Sequence, residues 1–334
     1  MKKKHFNIPV FIPAAACPFQ CIYCNQRKIS GKLHLPDAPE INNIIEEHLA
    51  TLPKKDATVE LAYFGGNFTG FEPEVQKGYL KLVQPYIRSG QISGIRLSTR
   101  PDYITPEILN LLKTYHVSTI ELGAQSMDEE VLKKSKRGHT PQDTARAVEM
   151  ILDAGLNLGI QMMIGLPGDT FEKSLFTAKR IVALGASETR IYPTLVIKDT
   201  ILEKHFQDGK FQPLTLGEAV RWSAKILVVF EEAKVKILKL GLHPSEGLLS
   251  GSDLVAGPWH QSFRELVLTE IWRQKLQPLL DLDSETVCIE VPAKEINYAV
   301  GYNGSNKKML FQKFREVKFC GNTQFTERSF NLLF

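Results

Sequence analysis

The chain has 334 residues, of which 43% are hydrophobic and 23% are charged. These values are close to those of ordinary globular domains, and they exclude a disordered chain, a collagen-like repeat and a disulfide-rich miniprotein. At roughly 100–200 residues per domain, the length allows one large domain or a large domain with an appendage. The cysteine count is odd, five in all, and three of the cysteines fall within eight residues. This favours a metal site over a disulfide framework, in a reducing, cytoplasmic compartment.

The net charge of +4 is unevenly distributed along the chain. Residues 1–30 contain five basic and no acidic residues, and residues 294–334 contain seven basic and three acidic residues, so the stretch between them is acidic. Basic ends on an acidic body suit a polyanion such as RNA. Solvated lysines without a partner explain the same pattern equally well.

The beginning of the chain imitates a lipoprotein signal, because lysines at 2–4 precede a partly apolar stretch that ends at Cys17. However, Asn7, Pro9 and Pro13 interrupt the continuous apolar helix that a signal requires. We therefore expect residues 6–12 to form a strand. No run of about 18 apolar residues occurs, so the sequence predicts no membrane-spanning helix.

Short β-type segments then alternate with segments of helical periodicity. The predicted strands are residues 6–12, 58–64, 94–99, 117–122, 158–164 and 189–196. The predicted helices between them are residues 41–52, 75–87, 107–115, 144–154 and 171–184. This alternation predicts an α/β fold with parallel strands, a partial (β/α)6 barrel of the TIM type over residues 1–200. In such barrels the chemistry lies at the carboxyl ends of the strands.

The regular alternation of predicted strands and helices ends after residue 200. The sequence predicts a long helix over residues 216–240, a glycine-rich stretch at 241–257, a helix at 261–277 and a strand at 286–291. We expect residues 201–334 to form a C-terminal α+β extension that packs on the barrel.

Cys17, Cys21 and Cys24 lie in the loop after the first predicted strand. Three thiolates suit a [4Fe–4S] cluster in which one iron has no protein ligand. Structural zinc is the alternative, and it needs a fourth ligand, for which the candidates are His34, Cys288 and Cys320. If the cluster uses three cysteines, Cys288 and Cys320 are dispensable for it.

The spacing of these cysteines resembles the signature of the radical S-adenosylmethionine (SAM) superfamily, with Tyr23 as the aromatic residue before the last cysteine. The resemblance implies that the open iron binds SAM and that an electron from the reduced cluster splits SAM to a 5′-deoxyadenosyl radical. It also implies an electron donor such as flavodoxin or ferredoxin. A barrel suits this chemistry because so reactive a radical must be kept from unintended targets.

Motifs at the next two strand ends match SAM-binding positions of that superfamily. Gly65 and Gly66 follow the second strand, and the resemblance implies that they hold the amino group of SAM. Ser98, on the third strand, stands where relatives place a polar group near the ribose. Arg100 and Asp102 follow it, and an ion pair at a helix start explains them without a ligand.

The fourth and fifth strands supply the remaining SAM positions. Gln125 and Arg137 are implied to contact the ribose and the methionine carboxylate, and an arginine fork suits a carboxylate. Gln161 is implied to face the nucleoside. We expect His139 to be structural, and Thr140 to be the N-cap of a helix whose first residue is proline.

Two branches of the superfamily share these segments. Residues 121–126 and 137–140 resemble segments of the oxygen-independent coproporphyrinogen oxidase and Elongator catalytic subunit branches, and residues 191–197 resemble the sixth-strand motif of the Elongator subunit. The Elongator resemblance implies tRNA, or another RNA, as substrate. The other branch implies an alternative, a non-catalytic chaperone that binds haem.

The chain also departs from the Elongator subunit. Its gap between the first two cysteines is shorter, and too few residues follow position 260 for an acetyltransferase fold, so acetyl transfer is not expected.

The sequence does not identify the substrate, although several residues are candidates to contact it. Tyr192 and Lys198 are candidates to line the cavity opposite SAM, and Trp272 is a candidate for its mouth, together with residues 257–260. Helix packing is the commoner role of such tryptophans. Residues 27–28, Arg and Lys, would face either a substrate phosphate or solvent.

Overall fold

The computed structural model describes residues 4–13, 16–17, 21–31, 34–53, 56–242, 245–325 and 328–333. The strands in these ranges are β1 (Lys4–Ile12), β2 (Ala57–Gly65), β3 (Gly94–Thr99), β4 (Val117–Gln125), β5 (Asn157–Ile164), β6 (Glu188–Pro193), β7 (Val196–Ile197), β8 (Lys236–Leu240), β9 (Leu254–Ala256), β10 (Thr286–Pro292), β11 (Glu316–Asn322) and β12 (Asn331–Leu333). The α-helices are α1 (Gln26–Ser30), α2 (Ala38–Thr51), α3 (Pro73–Arg88), α4 (Pro106–Thr114), α5 (Glu129–Lys134), α6 (Pro141–Asp153), α7 (Phe171–Ala183), α8 (Ile201–Gln207), α9 (Leu216–Glu232), α10 (Glu246–Leu249), α11 (Phe263–Leu276), α12 (Ile296–Val300) and α13 (Ser305–Leu310).

The main sheet contains seven parallel strands in the order β1-β2-β3-β4-β5-β6-β8. Helical crossovers return the chain to the same end of the sheet after each strand, so the carboxyl ends of the strands lie together. The predicted α/β class and the partial barrel are therefore confirmed. Residues 201–334 add one strand, β8, to this sheet, and β1 and β8 are its two edges.

One face of the main sheet packs against the helices. Ile8 and Val10 of β1, Leu97 of β3 and Ile191 of β6 are fully buried there, in one large apolar cluster with the helix side chains. Because side chains alternate along a strand, the residues between them point to the inner face of the barrel. This face carries apolar side chains, such as Phe11, Phe64 and Met163, together with the polar positions that were predicted for the cluster and for SAM.

An ion network occupies the inner face near the amino ends of the strands. The guanidinium of Arg96 is 2% exposed, and it donates to Glu60 at 3.0 Å, to Glu121 at 2.9 Å and to Glu188 at 2.8 Å. Arg190 also donates to Glu121, from Nε to Oε2 at 2.5 Å. Buried charges are tolerated when they are paired and hydrogen-bonded in this way. The network therefore links β2, β3, β4 and β6 by their side chains.

The prediction of one helix over residues 216–240 is wrong. Helix α9 ends at Glu232, Lys234 turns the chain with φ of +59°, and β8 follows as the seventh strand. A short apolar run cannot be assigned to helix or strand by periodicity alone, and here a neighbouring strand edge decides the outcome. The predicted strand at 189–196 is likewise split, into β6 and the short β7.

A second, smaller core follows α11. Strands β10, β11 and β12 form a three-stranded sheet, and Trp272 is fully buried against it. Its indole Nε1 donates to Glu295 at 2.8 Å. The hypothesis that Trp272 shapes a substrate mouth is therefore wrong. Arg328 joins this unit to α9, because it donates to both Glu295 and Glu231.

No helix within the described ranges is long and apolar enough to cross a membrane.

Candidate functional site

A cavity of about 1020 Å³ lies inside the barrel, towards the carboxyl ends of the strands. Its wall brings together every residue that the sequence analysis proposed for the cluster and for SAM. These residues are Cys17, Cys21, Tyr23, Cys24, Gly65, Gly66, Ser98, Gln125, Arg137 and Gln161. Ligand pockets in proteins have volumes of roughly 300–1,000 Å³, so the volume of this cavity is at the upper end of that range.

Three hydrogen bonds from other parts of the chain hold Ala16 and Ile22, two described residues of the cysteine loop. The backbone N–H of Ile22 donates to Ser135 O at 3.2 Å, and the carbonyl of Ile22 accepts from the N–H of Leu202 at 2.7 Å. On the other side, Asn67 is buried, and its Nδ2 donates to Ala16 O at 3.4 Å. Ala16 and Ile22 are thus fixed by contacts with distant parts of the chain.

Asn67 also fixes the loop that follows β3. Its Oδ1 accepts from the hydroxyl of Thr99 at 2.6 Å and from the backbone N–H of Arg100 at 3.1 Å. One amide side chain therefore connects the loops after β1, β2 and β3. This role was not predicted from the sequence, because Asn67 stands within a glycine motif and nothing in the pattern distinguishes it.

Burial governs the protonation of the cysteine thiols. It raises the pKa of Cys24 to about 12, with a further contribution from the neighbouring Cys21 and Cys17. Burial also raises the pKa of Cys17, against the opposing charge of Arg137. The free thiols of Cys17 and Cys24 are therefore protonated at neutral pH. A metal group binds thiolates, so its binding would release protons.

The thiols do not form a preformed site for a single ion. Among the residues that the structure describes, no group of three or more His, Cys, Asp and Glu side chains is arranged to hold one metal ion. His34 is exposed and bonds Glu40 at 3.0 Å, while Cys288 and Cys320 lie 3.9 Å apart, sulfur to sulfur, on β10 and β11. The described part of the chain therefore gives no support to a four-ligand zinc site. In a [4Fe–4S] cube each cysteine binds a different iron, so its ligands need not converge on one point.

Arg137 lies beside the cysteines and is only 7% exposed. Its Nη1 is 3.5 Å from Cys21 Sγ, and its Nη2 donates to Gly123 O at 2.6 Å. Its Nε is buried and has no hydrogen-bond partner among the described residues. A buried guanidinium with a donor to spare is suited to an anionic group, either a thiolate-bound cluster or a carboxylate.

A bulge in β4 presents Gln125 to the cavity. The pairing between β4 and β5 shifts between Gly123 and Gln125, and Gln125 has φ of +67°, which is unusual for a residue other than glycine. Its Oε1 accepts from Gln161 Nε2 at 3.1 Å. Unusual backbone conformations often occur at functional sites, and here the bulge sets the direction of one amide.

Gly65 is required by the backbone. It has φ of +111°, and a Cβ at this position would be 2.4 Å from Ile12 O. The adjacent Gly66 donates its N–H to the same carbonyl at 2.8 Å. Close packing of β2 against β1 therefore needs a glycine at 65, whether or not a ligand binds.

Several other expectations are decided by contacts. The guanidinium of Arg100 donates to the carboxylate of Asp102, from Nε to Oδ1 at 2.9 Å and from Nη2 to Oδ2 at 2.8 Å. This agrees with the interpretation of the two residues as an ion pair at a helix start. Thr140 caps α6 in a capping box with Asp143. His139 is buried, and burial with the charges of Arg137 and Arg100 lowers its pKa to about 3, so it is neutral at physiological pH.

Neither lysine that was proposed to meet a substrate lines the cavity. The Nζ of Lys28 pairs with Asp199 at 2.6 Å and with Asp253 at 3.3 Å, and its side chain is 25% exposed. Lys198 is exposed and does not line the cavity, whereas Tyr192 does line it. Arg27 also lies on the cavity wall.

Two further residues on the cavity wall, Arg190 and Lys239, were not predicted from the sequence. Arg190 follows the two-residue alternation of β6 and could have been found from it. Lys239 could not, because it was assigned to a helix.

A model of the Radical SAM superfamily matches residues 11–181, about half of the chain. The chain belongs to the radical SAM superfamily. A second model, of the Radical SAM C-terminal domain, matches residues 187–273. The structure of the archaeal Elp3 from Methanocaldococcus infernus, lacking its first 46 residues, has a TM-score of 0.66 at 21% identity and covers 83% of this chain and 64% of its own. This likeness shows the same fold.

Two curated relatives of this radical SAM protein indicate how far the similarity extends. A tRNA uridine(34) acetyltransferase of Methanocaldococcus infernus is 29% identical over 185 residues, which are 48% of this chain and 34% of the relative. An uncharacterised protein of Methanocaldococcus jannaschii is 30% identical over 64% of this chain and 68% of its own length. The chain thus spans about a third of the acetyltransferase and two thirds of the second relative.

Proposed function

We propose that the protein binds a [4Fe–4S] cluster through Cys17, Cys21 and Cys24 and cleaves SAM reductively to start radical chemistry on a substrate. The observation that carries this proposal is the convergence of three thiols and the SAM-binding positions of the superfamily on one cavity. When bound, the cluster supplies the electron that cleaves SAM. We further propose flavodoxin or ferredoxin as its source, and the reducing cytoplasm, in keeping with five free cysteines, as the location.

In this proposal the chain's own residues hold and orient SAM. Arg137 has a buried Nε to offer and lies beside Cys21, so it can bind the methionine carboxylate where SAM meets the cluster. Gln125 and Gln161 form an amide pair on the same wall for the ribose and the nucleoside. Gly65 and Gly66 lie on this wall for the amino group of SAM, Ser98 for the ribose, and Tyr23 beside the cysteines.

The first test is anaerobic reconstitution of the full chain with iron and sulfide, followed by dithionite and SAM. We expect the wild-type protein to contain labile sulfide and to release 5′-deoxyadenosine, because three thiolates are available to the cluster. Replacing Cys17 with alanine removes one ligand, and we expect both signals to be lost. Iron, sulfide and 5′-deoxyadenosine are measured by colorimetry and chromatography.

Cys288→Ala is the matched control, because this cysteine lies on β10 away from the cavity. We expect it to keep both signals. A wild-type protein that holds zinc without labile sulfide contradicts the proposal. A stoichiometric Soret shift with haem, without 5′-deoxyadenosine, would instead support a haem-binding chaperone.

We also propose an RNA base, in tRNA, as the substrate. Three observations support it: the relative named tRNA uridine(34) acetyltransferase, the basic C-terminal residues, and Arg27 exposed on the cavity wall. The acetyl transfer of that relative is not carried over, since the similarity covers only 34% of its length.

The RNA proposal is tested by titrating the full chain with bulk tRNA at several salt concentrations. Phosphate contacts release counterions, so we expect the logarithm of the association constant to fall linearly with the logarithm of the salt concentration. On α13, Lys307 and Lys308 are basic residues without a described ion pair to a carboxylate. We expect their replacement with glutamine to reduce the slope by up to about two.

The matched control is Lys318→Gln, because this lysine already pairs with Glu316 at 2.9 Å. We expect a smaller change of slope for it. Absence of tRNA binding at low salt would rule out the RNA substrate while leaving SAM cleavage untouched.

A further inference from the structure

Lys239 lies on the cavity wall because β8 contains a bulge. Glu188 pairs with Lys236 and Thr189 with Ile237, but the next residue, Arg190, pairs with Lys239, so one residue of β8 is extra. Strand side chains alternate, and residues paired on parallel neighbours point to the same side. Lys239 therefore shares the inner face with Arg190.

The extra residue is Leu238, and a regular register, in which Leu238 pairs with Arg190 and no residue is bulged out, shows the effect of the bulge. Lys239 would then pair with Ile191, which is fully buried in the core between sheet and helices. A lysine there would lose its hydration without a partner, at a high cost in free energy. Bulges often re-aim side chains next to active sites, and this one moves a cation from the core side to the cavity.

The carboxylates on this part of the inner face are already paired. Glu121 accepts from Arg190 and Arg96, and Glu188 accepts from Arg96 and Lys236. Lys239 forms no hydrogen bond or ion pair with any described residue. The positive charge of Lys239 is thus not paired with any carboxylate of the ion network.

The charges around Lys239 do not neutralise it. The nearby side chains of α11, Arg264 and Glu265, act on it with opposite signs, and Arg190 repels it. Burial and this repulsion lower the pKa of Lys239. Two cations held side by side in a cavity are suited to an anion that both can contact.

We propose that Lys239 and Arg190 bind an oxyanion of the substrate, a phosphate or a carboxylate, inside the SAM cavity. An ammonium group and a guanidinium together offer several N–H donors to such a group. This inference rests on the proposed function, in that the substrate shares the cavity with SAM. It adds that the substrate carries an anionic group that enters the barrel as far as β8.

The test is calorimetric titration of the cluster-loaded full chain with inorganic phosphate and, separately, with acetate at constant ionic strength. We expect one of the two to bind, and the stronger one identifies the source of the oxyanion. Lys239→Met keeps most of the aliphatic stem and removes the charge. We expect this variant to bind the preferred anion at least about tenfold more weakly.

The control is Lys236→Met, on the same strand, whose Nζ already pairs with Glu188 at 3.1 Å and whose side chain is 55% exposed. We expect it to bind the anion as the wild-type protein does. A second measurement needs no variant: the preferred anion should protect Lys239 from amine acetylation, as read by mass spectrometry.

No binding of either anion at millimolar concentrations, equal binding by Lys239→Met, or no protection of Lys239 would overturn the inference. The 5′-deoxyadenosine assay on the wild-type protein keeps the two proposals apart. Anion binding without SAM cleavage contradicts the proposed function alone, and SAM cleavage without anion binding contradicts only this inference.

Discussion

Gly65 shows how a backbone requirement and a proposed SAM-binding role can fall on one residue. Its φ of +111° and the 2.4 Å from a Cβ to Ile12 O exclude any side chain without movement of β1. We expect Gly65→Ala to lower the free energy of unfolding by at least about 1–3 kcal/mol, because it combines a strained backbone with a clash. Urea denaturation of the apoprotein measures this.

Gly78→Ala is the matched control for this prediction. Gly78 lies in α3, and a Cβ there meets nothing within 4 Å. We expect alanine at 78 to stabilise the protein by about 0.5–1 kcal/mol, since glycine is unfavourable within a helix. If both variants lost stability equally, the backbone argument for Gly65 would be wrong.

Single residues of the site differ in how well the sequence predicted them. The cysteines, Gly65 and Gln161 were found because a motif spacing marks them. Asn67 was not predicted, since its role is to connect, by hydrogen bonds, three loops that are distant in the chain. The φ of +67° at Gln125 could not be predicted either, because a bulge follows from strand pairing and not from the local sequence.

Among the elements, β2, β3 and β4 meet through the carboxylate of Glu60. Burial opposes its charge, but hydrogen bonds from His5 and Ser118 and the charge of Arg96 lower its pKa to about 2. The pKa in the folded state lies below the ordinary value of 4.5. The interactions of the Glu60 carboxylate therefore stabilise the folded state above about pH 4.5, and this stabilisation is lost as the pH falls towards 2.

Removing the hydroxyl of Ser118 tests this link between strands. We expect Ser118→Ala to lose about 1.5–3 kcal/mol of stability at pH 7, the usual size for a hydrogen bond to a charged group. The loss should shrink as the pH falls from 4.5 towards 2, because Glu60 becomes neutral. Urea denaturation at a series of pH values measures both quantities.

Ser93→Ala provides the comparison, since the Ser93 hydroxyl donates to the neutral carbonyl of Val59 at 2.8 Å. We expect its effect on stability to be the same across this pH range. A parallel pH dependence in the two variants would contradict the role given to Glu60.

The elements of the barrel were predictable where hydrophobic periodicity was long and regular. Five of the six predicted barrel strands match observed strands closely, and the exception ran past Pro193 into β7. Strand β8 was not predicted, since its five residues continue the apolar pattern of α9 after a short turn. This segment forms a strand because it pairs with the edge of β6 that no other strand of the sheet occupies.

For the whole molecule, the order of elements was enough to predict a barrel with its site at the carboxyl ends of the strands. The boundary at residue 200 stays a prediction. Charge was less informative: Lys28 and Arg328 count towards the basic ends, yet both are used in internal ion pairs. Net charge along a sequence does not distinguish such residues from those that face a ligand.

The bulge at Leu238 has a consequence for how this protein and its relatives diverge. Loss of Lys239 alone would let β8 pair without a bulge, with Leu238 opposite Arg190, and would change the charge inside the barrel by one unit, while every cysteine and glycine of the motifs stayed in place. Substrate preference in such a lineage could therefore change by a single-codon deletion. Proteins with identical motifs would then act on differently charged molecules.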